Sequence, residues 1–189
     1  MKPQPPLSAT LILLTYSPKD GVDDTAYESW IAEVDNPFFN SVPGIVRYTN
    51  WKVSSAPPDL SYSHFDLLEI ENEDAFDAVW NNVDLTNFRQ KWRELWGRTP
   101  TEDSPLNSHA YLSSRVSGAP QPLVDGIRLK IEPASTEADF ESWRVVSSIK
   151  GGTQRFSNFA LSFIPAANES VIGELVAGQL IAAPNWSGK

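Results

Sequence analysis

The chain has 189 residues, 41% of them hydrophobic and 11% aromatic, which is enough apolar surface to bury a core and to exclude wholesale disorder. Its formal net charge is −9, from 24 acidic and 15 basic residues with no basic run, which argues against nucleic-acid binding. Cysteine is absent, so disulfides, zinc ribbons, iron–sulfur clusters and thiol nucleophiles are excluded together.

The opening MKPQPPLSATLILLTY carries one Lys and a short apolar stretch, Leu11 to Leu14, too brief for a signal-peptide core or a spanning helix. It reads as the first strand, Ala9 to Ser17, of a soluble cytoplasmic protein that needs no membrane. A helix follows. Thr25 and Glu28 fit a capping box, and Tyr27, Trp30, Ile31 and Val34 share one apolar face, with Pro37 and Pro43-Gly44 closing it. Ile45 to Ser54 reads as a second strand and Tyr62 to Ile70 as a third, separated by the loop Pro57-Pro58-Asp59. From Glu73, helical spacing of Phe76, Trp80, Val83, Phe88, Trp92 and Leu95 predicts a second helix, capped near Gly97. His109 to Arg115 supplies a fourth strand and completes the order β-α-β-β-α-β.

Ser117 to Pro122 has linker composition, and after it the first half begins again. Ile127 to Pro133 parallels the first strand, and Glu137 to Trp143 echoes the first helix. The phrase GIVRYTNW at 44–51 is answered by GTQRFSNF at 152–159, pairing Arg47 with Arg155 and Asn50 with Asn158. Val171 to Ala183 provides a last strand. The expected organisation is thus a complete unit over 1–116, a linker at 117–122, and a truncated β-α-β-β repeat over 123–189 that packs on or extends the first.

This element order resembles the dimeric α/β-barrel superfamily, the ferredoxin-like group that holds the EthD-like, stress-responsive barrel and antibiotic-biosynthesis monooxygenase families. The resemblance covers 9–116 as an element order and 122–183 more loosely, and it implies an α+β fold with a four-stranded antiparallel sheet. It further implies two such sheets facing each other, from two chains or two repeats, with small organic molecules bound inside the barrel or between sheet and helices. A homodimer is the expected assembly.

Strand parity assigns Phe65 and Leu67 to the helix-covered face and Tyr62, His64, Asp66 and Leu68 to the other. On the fourth strand, Ala110 and Leu112 face the helices while His109 and Tyr111 point away. The ferredoxin-like strand order 4-1-3-2 puts His64, His109 and Tyr16 at one level along the sheet, with Trp51 as a wall. The predicted catalytic set is therefore His64, His109, Tyr16 and Asp66, and the substrate-binding set is Trp51, Tyr62 and Tyr111. Histidine would act as general acid or base, Asp66 would orient it, and Tyr16 would donate to a developing phenolate or enolate oxygen. The shared Arg and Asn of the repeated phrase are expected to serve the scaffold.

Each of these histidines also admits a structural reading, as a satisfied strand residue at a dimer interface. A metal held by His64, His109 and Asp66 lacks HxH or HExxH spacing, and neither a GxSxG elbow nor a nucleotide-binding loop is present. No cofactor or metal is expected. The predicted function is cofactor-independent lyase, isomerase or cyclase chemistry on a small aromatic or polyketide-like molecule. A cofactorless monooxygenase and a non-catalytic small-molecule-binding barrel are the alternatives.

Overall fold

The structure is a computed structural model, and it describes residues 10–57, 60–97, 108–131, 139–150, 155–165 and 175–184. Its eight strands form one closed barrel: β1 (Thr10–Tyr16), β2 (Ile45–Ser55), β3 (His64–Ile70), β4 (His109–Ser117), β5 (Gly126–Ile131), β6 (Glu141–Lys150), β7 (Asn158–Ile164) and β8 (Leu175–Ala182). Around the barrel they run β1-β3-β2-β8-β5-β7-β6-β4, every neighbouring pair antiparallel. The first half therefore has the order 4-1-3-2 expected from the sequence. In the second half β8-β5-β7-β6 repeats that order.

This corrects the expectation of a truncated β-α-β-β repeat. Among the described residues the second half carries four strands and no helix, and Glu141–Lys150 is a strand where the echo of Glu137 to Trp143 predicted a helix. The residues explain it. Trp143 and Val145 are buried while Arg144 and Val146 are exposed, a period of two that no helix satisfies. The repeated phrases also fall at different places, since 44–51 leads into β2 and the described part of 152–159 leads into β7, which stands where β3 stands in the first half.

The lumen is filled by side chains. Leu11, Leu13, Trp51, Phe65, Leu67 and Tyr111 from the first half meet Ile127, Leu129, Trp143 and Phe159 from the second in one buried cluster. Such a packed core is what closure of an eight-stranded barrel leaves room for. Gly178 makes space for it: a Cβ there would stand 2.7 Å from the Phe65 ring.

Helices cover the outside of the first half. Asp23 caps α1 (Asp24–Trp30) by accepting from the Ala26 N–H at 3.1 Å, so the cap sits two residues before the predicted Thr25. A single wide turn, Ile31–Asp35, then joins α1 to α2 (Asn36–Phe39), with the Asn36 N–H bonded to the Ile31 carbonyl. The predicted stop at Pro37 is thus passed over, because the wide turn absorbs a residue that cannot donate. After a 3-10 turn at Glu73–Ala75, the second predicted helix is split into α3 (Phe76–Trp80) and α4 (Val83–Leu95). The break is at Asn82, whose side chain caps α4 through the Asp84 and Leu85 N–H groups. No helix among the described residues is long and apolar enough to cross a membrane.

Candidate active site

A cavity of about 300 Å³ lies between the first-half sheet and its helices. Tyr16, Asp35, Tyr48 and Asp66 line its buried end, Phe39, Leu85, Phe88, Trp80 and Trp92 its walls, and Arg89 and Arg93 its exposed end. That volume stands at the lower limit of the ~300–1,000 Å³ of small-molecule pockets.

Asp66 organises the buried end. Its Oδ1 accepts from the Tyr16 hydroxyl at 3.1 Å and the Asn50 Nδ2 at 3.0 Å, and its Oδ2 accepts from the Tyr48 hydroxyl at 2.7 Å. The same Asn50 Nδ2 donates to Asp35 Oδ2 at 3.0 Å, so one amide bridges two carboxyl groups. Asn36 fixes that amide by donating to its Oδ1 at 2.8 Å. Burial pushes the Asp35 carboxyl up to about 7, against the opposing hydrogen bonds of Tyr48 and Asn50. Burial, then the charge of Asp35, raises Asp66 well above the ordinary carboxylate range. Burial thus disfavours the charged form of both carboxyls, and charge on Asp35 further disfavours charge on Asp66. Burial foremost, aided by these carboxylates, raises Tyr16 and Tyr48, which stay neutral O–H donors.

Local structure delivers each of these groups. Asp35 belongs to the wide turn in the helix, a feature that re-aims side chains and recurs at functional sites. Tyr48 and Asn50 alternate with the lumen-facing Thr49 and Trp51 on β2. Pairing of β2 with β8 reaches only to Asn50, and the Tyr48 backbone is satisfied by helix side chains instead. Its N–H donates to Asn40 Oδ1 at 2.8 Å, and its carbonyl accepts from Asn36 Nδ2 at 3.0 Å.

The structure divides the predicted set between two faces of the sheet. Register puts Tyr16 opposite His64 and Thr15 opposite His109, so all three predicted groups share one level. Residues directly opposite share a face, however, which sends Tyr16, His64 and Asp66 toward the helices and His109 into the barrel with Tyr111, their rings 6.1 Å apart. The predicted faces of β3 are thereby exchanged: Phe65 and Leu67 fill the lumen, and His64, Asp66 and Leu68 lie under the helices. The β4 assignment holds. A shared metal on His64, His109 and Asp66 is ruled out by this split, and no cluster of three or more metal-ligating side chains occurs among the described residues.

His64 lies outside the cavity lining. It packs behind Tyr16, ring centroids 5.8 Å apart, and its Nδ1 is 2.9 Å from Ser63 Oγ. Burial, followed by the charge of Lys52, pushes its pKa down to about 4, so the imidazole is neutral at physiological pH. Trp51 is likewise a lumen residue, fully buried, stacked on Phe65 at 6.2 Å and donating from Nε1 to Thr49 Oγ1 at 2.9 Å. Tyr62 packs on the lumen cluster from the barrel end, and burial raises its pKa.

Sequence reasoning missed Asp35, Tyr48 and Asn50. Two of them belong to the phrase GIVRYTNW, whose Asn was assigned to the scaffold. Arg47 of that phrase does serve the scaffold: its Nε donates to buried Glu69 at 2.7 Å on the lumen side.

The fold is that of the ferredoxin-like dimeric α/β barrels, here with both sheets supplied by one chain. Residues 10–102, which include β1 through α4, match the family described as REDY-like protein HapK. The crystal structure of an anthrone oxidase-like protein is similar with a TM-score of 0.58 and 6% identity, covering 93% of this chain and 92% of that one. A structure described as a candidate chlorite dismutase aligns with a TM-score of 0.49 and 11% identity, over 90% of this chain and 93% of that one. No curated protein matches the sequence significantly.

Proposed function

We propose that the helix-covered cavity is the active site of a cofactor-independent enzyme that moves a proton on a small aromatic molecule, in a reaction of the lyase, isomerase or cyclase kind. The proton carriers are Asp66 and Asp35, in place of the histidines expected from the sequence. One observation carries the reading: two buried carboxyls, both pushed up by burial, are bridged by Asn50 and face an aromatic-walled cavity. A carboxyl whose pKa sits near the working pH is suited to both taking and returning a proton. The ionised member takes a proton from substrate carbon or oxygen, and the protonated member can return one elsewhere. As Asp66 takes up its proton, its hold on the Tyr16 and Tyr48 hydroxyls weakens, and either O–H can turn to a developing enolate or phenolate oxygen. Phe88, Trp80 and Trp92 provide flat apolar walls for the ring system. His64 keeps Tyr16 in place from behind.

The same chemistry permits a second reading. A carbanion made in this cavity could itself reduce dioxygen, with one oxygen atom entering the product and the other leaving as water. The fold shared with an anthrone oxidase-like protein makes anthrone, an aromatic ketone with an acidic methylene group, the probe of choice.

The test is the rate of deuterium incorporation at the anthrone methylene in heavy water, with oxygen uptake followed in parallel. Wild-type protein is expected to accelerate exchange, and Asp66→Asn to lose that acceleration by about a hundredfold, within the usual effect of removing a general base. Exchange unchanged in Asp66→Asn would sink the carboxylate mechanism. Oxygen uptake matched to exchange would select the monooxygenase, and tight binding without either would select a carrier.

A further inference from the structure

We infer that the substrate is an aromatic acid, its anionic group held by Arg89 and Arg93 at the exposed end of the cavity and its ring system directed toward Asp66. This deepens the reading of the cavity as the site of proton transfer and rests on it. In a chain with 24 acidic and 15 basic residues, the charged groups at the exposed end of this cavity are both cations. They stand four positions apart on α4, and like charges so spaced on one helix face repel. Among the described residues, neither lies within ion-pair distance of a carboxylate. Arg89 is held in place: its guanidinium stacks 4.4 Å over the Trp80 ring, and Nη2 donates to the Trp80 carbonyl at 2.7 Å and to Thr86 Oγ1 at 3.1 Å. Burial first, then the charge of Arg93, holds its pKa below the usual value, as expected where an anion is wanting. Arg93 is exposed and able to meet an incoming anion.

The opposite end has the opposite character. Asp35 and Asp66 are both at most 5% exposed, and a substrate carboxylate placed against them would be repelled. The cavity thus has a polarity that sets orientation: the anion stays outward on the arginines, and the ring enters between Phe88, Trp80 and Trp92. Such anchoring by a remote charged group is how binding energy is used to position the reacting carbon. Arg89 and Arg93 would therefore be specificity-determining residues, distinct from the proton carriers.

Matched pairs of an aromatic acid and its neutral amide test this: indole-3-acetate with indole-3-acetamide, and 1-naphthoate with 1-naphthamide. Binding to the full chain is read by quenching of tryptophan fluorescence, to which Trp80 and Trp92 in the walls contribute. The wild-type protein is expected to bind each acid about tenfold more tightly than its amide, the scale of one partly screened charge-assisted contact. Arg93→Gln, at an exposed position, should bring the two within about threefold by weakening only the acid, and Arg93→Glu should reverse the order. Equal affinity of acid and amide for the wild type, or binding of neither, would overturn the inference. Both results leave the anthrone exchange experiment to judge the proton-transfer reading by itself, since anthrone is neutral.

Discussion

At the scale of single residues, the decisive feature is burial of acid groups with too few charges around them to keep them ionised. Asp66 receives three hydrogen bonds, which favour its carboxylate, yet burial outweighs them. Burial pushes Asp35 up to about 7 for the same reason, and the consequence for stability has a definite sign. An acid raised in the native state contributes stability that is fully present below its ordinary value of 3.8 and is lost as pH rises through the native value of about 7. The native protein is therefore expected to melt at lower temperature at pH 8 than at pH 5. Asp35→Asn is uncharged throughout and should flatten that dependence, by on the order of 1.4 kcal/mol for each unit of pKa displacement removed. Parallel melting curves for wild type and Asp35→Asn across this range would show that Asp35 is not displaced.

The chemistry-bearing types are visible in the sequence at this scale, and strand position singles out Tyr16 and Asp66. Asp35 was hidden. It falls two positions before Pro37, where a regular helix is expected to be ending, and the wide turn that re-aims it has no local signature of its own. His64 stands out in the sequence because imidazole is the usual neutral-pH base. Burial lowers its pKa while burial raises that of the acids, so the same force that disarms the histidine equips the aspartates.

Among elements, the strands of the first half were legible because each has a bounded apolar run. Their faces were less so. Every residue of β3 is buried, so alternation of polarity, the cue that sorts faces, is absent there. Only register against β1, with Tyr16 opposite His64, fixes which side Asp66 takes. Entry into β2 depends on Gly44, whose φ of +88° other residues rarely adopt, and a Cβ there would stand 2.7 Å from Val79 Cγ2 on α3. Gly44→Ala is expected to destabilise the fold by roughly 1–3 kcal/mol in chemical denaturation, since it combines backbone strain with a clash against the helix layer. A shift below about 0.5 kcal/mol would mean that the β2 entry tolerates the ordinary conformation.

For the molecule as a whole, internal duplication was readable but its form was not. The second half preserves the strand order of the first and dispenses with helices over the described residues, so sequence echoes of the first helix pointed to the wrong element. What remains common to the halves is the pairing that closes the barrel, β2 on β8 and β4 on β6. Closure is completed within one chain, and that chain alone lines the cavity. This division of labour explains the placement of the site. The lumen packs the two halves together, and the cavity lies where helices stand off the first sheet.

The Asp35 and Asp66 pair at the buried end of that space is read most directly by carboxyl carbon NMR of aspartate-labelled protein, titrated from pH 3 to 9. Asp35→Asn and Asp66→Asn serve to assign the resonances. The expected result is two coupled carboxyls, one of them changing protonation near neutral pH, with the surviving partner titrating lower when either neighbour is replaced by Asn. Two carboxyls that both ionise below about pH 5, independently of each other, would contradict Asp66 and Asp35 as the proton carriers.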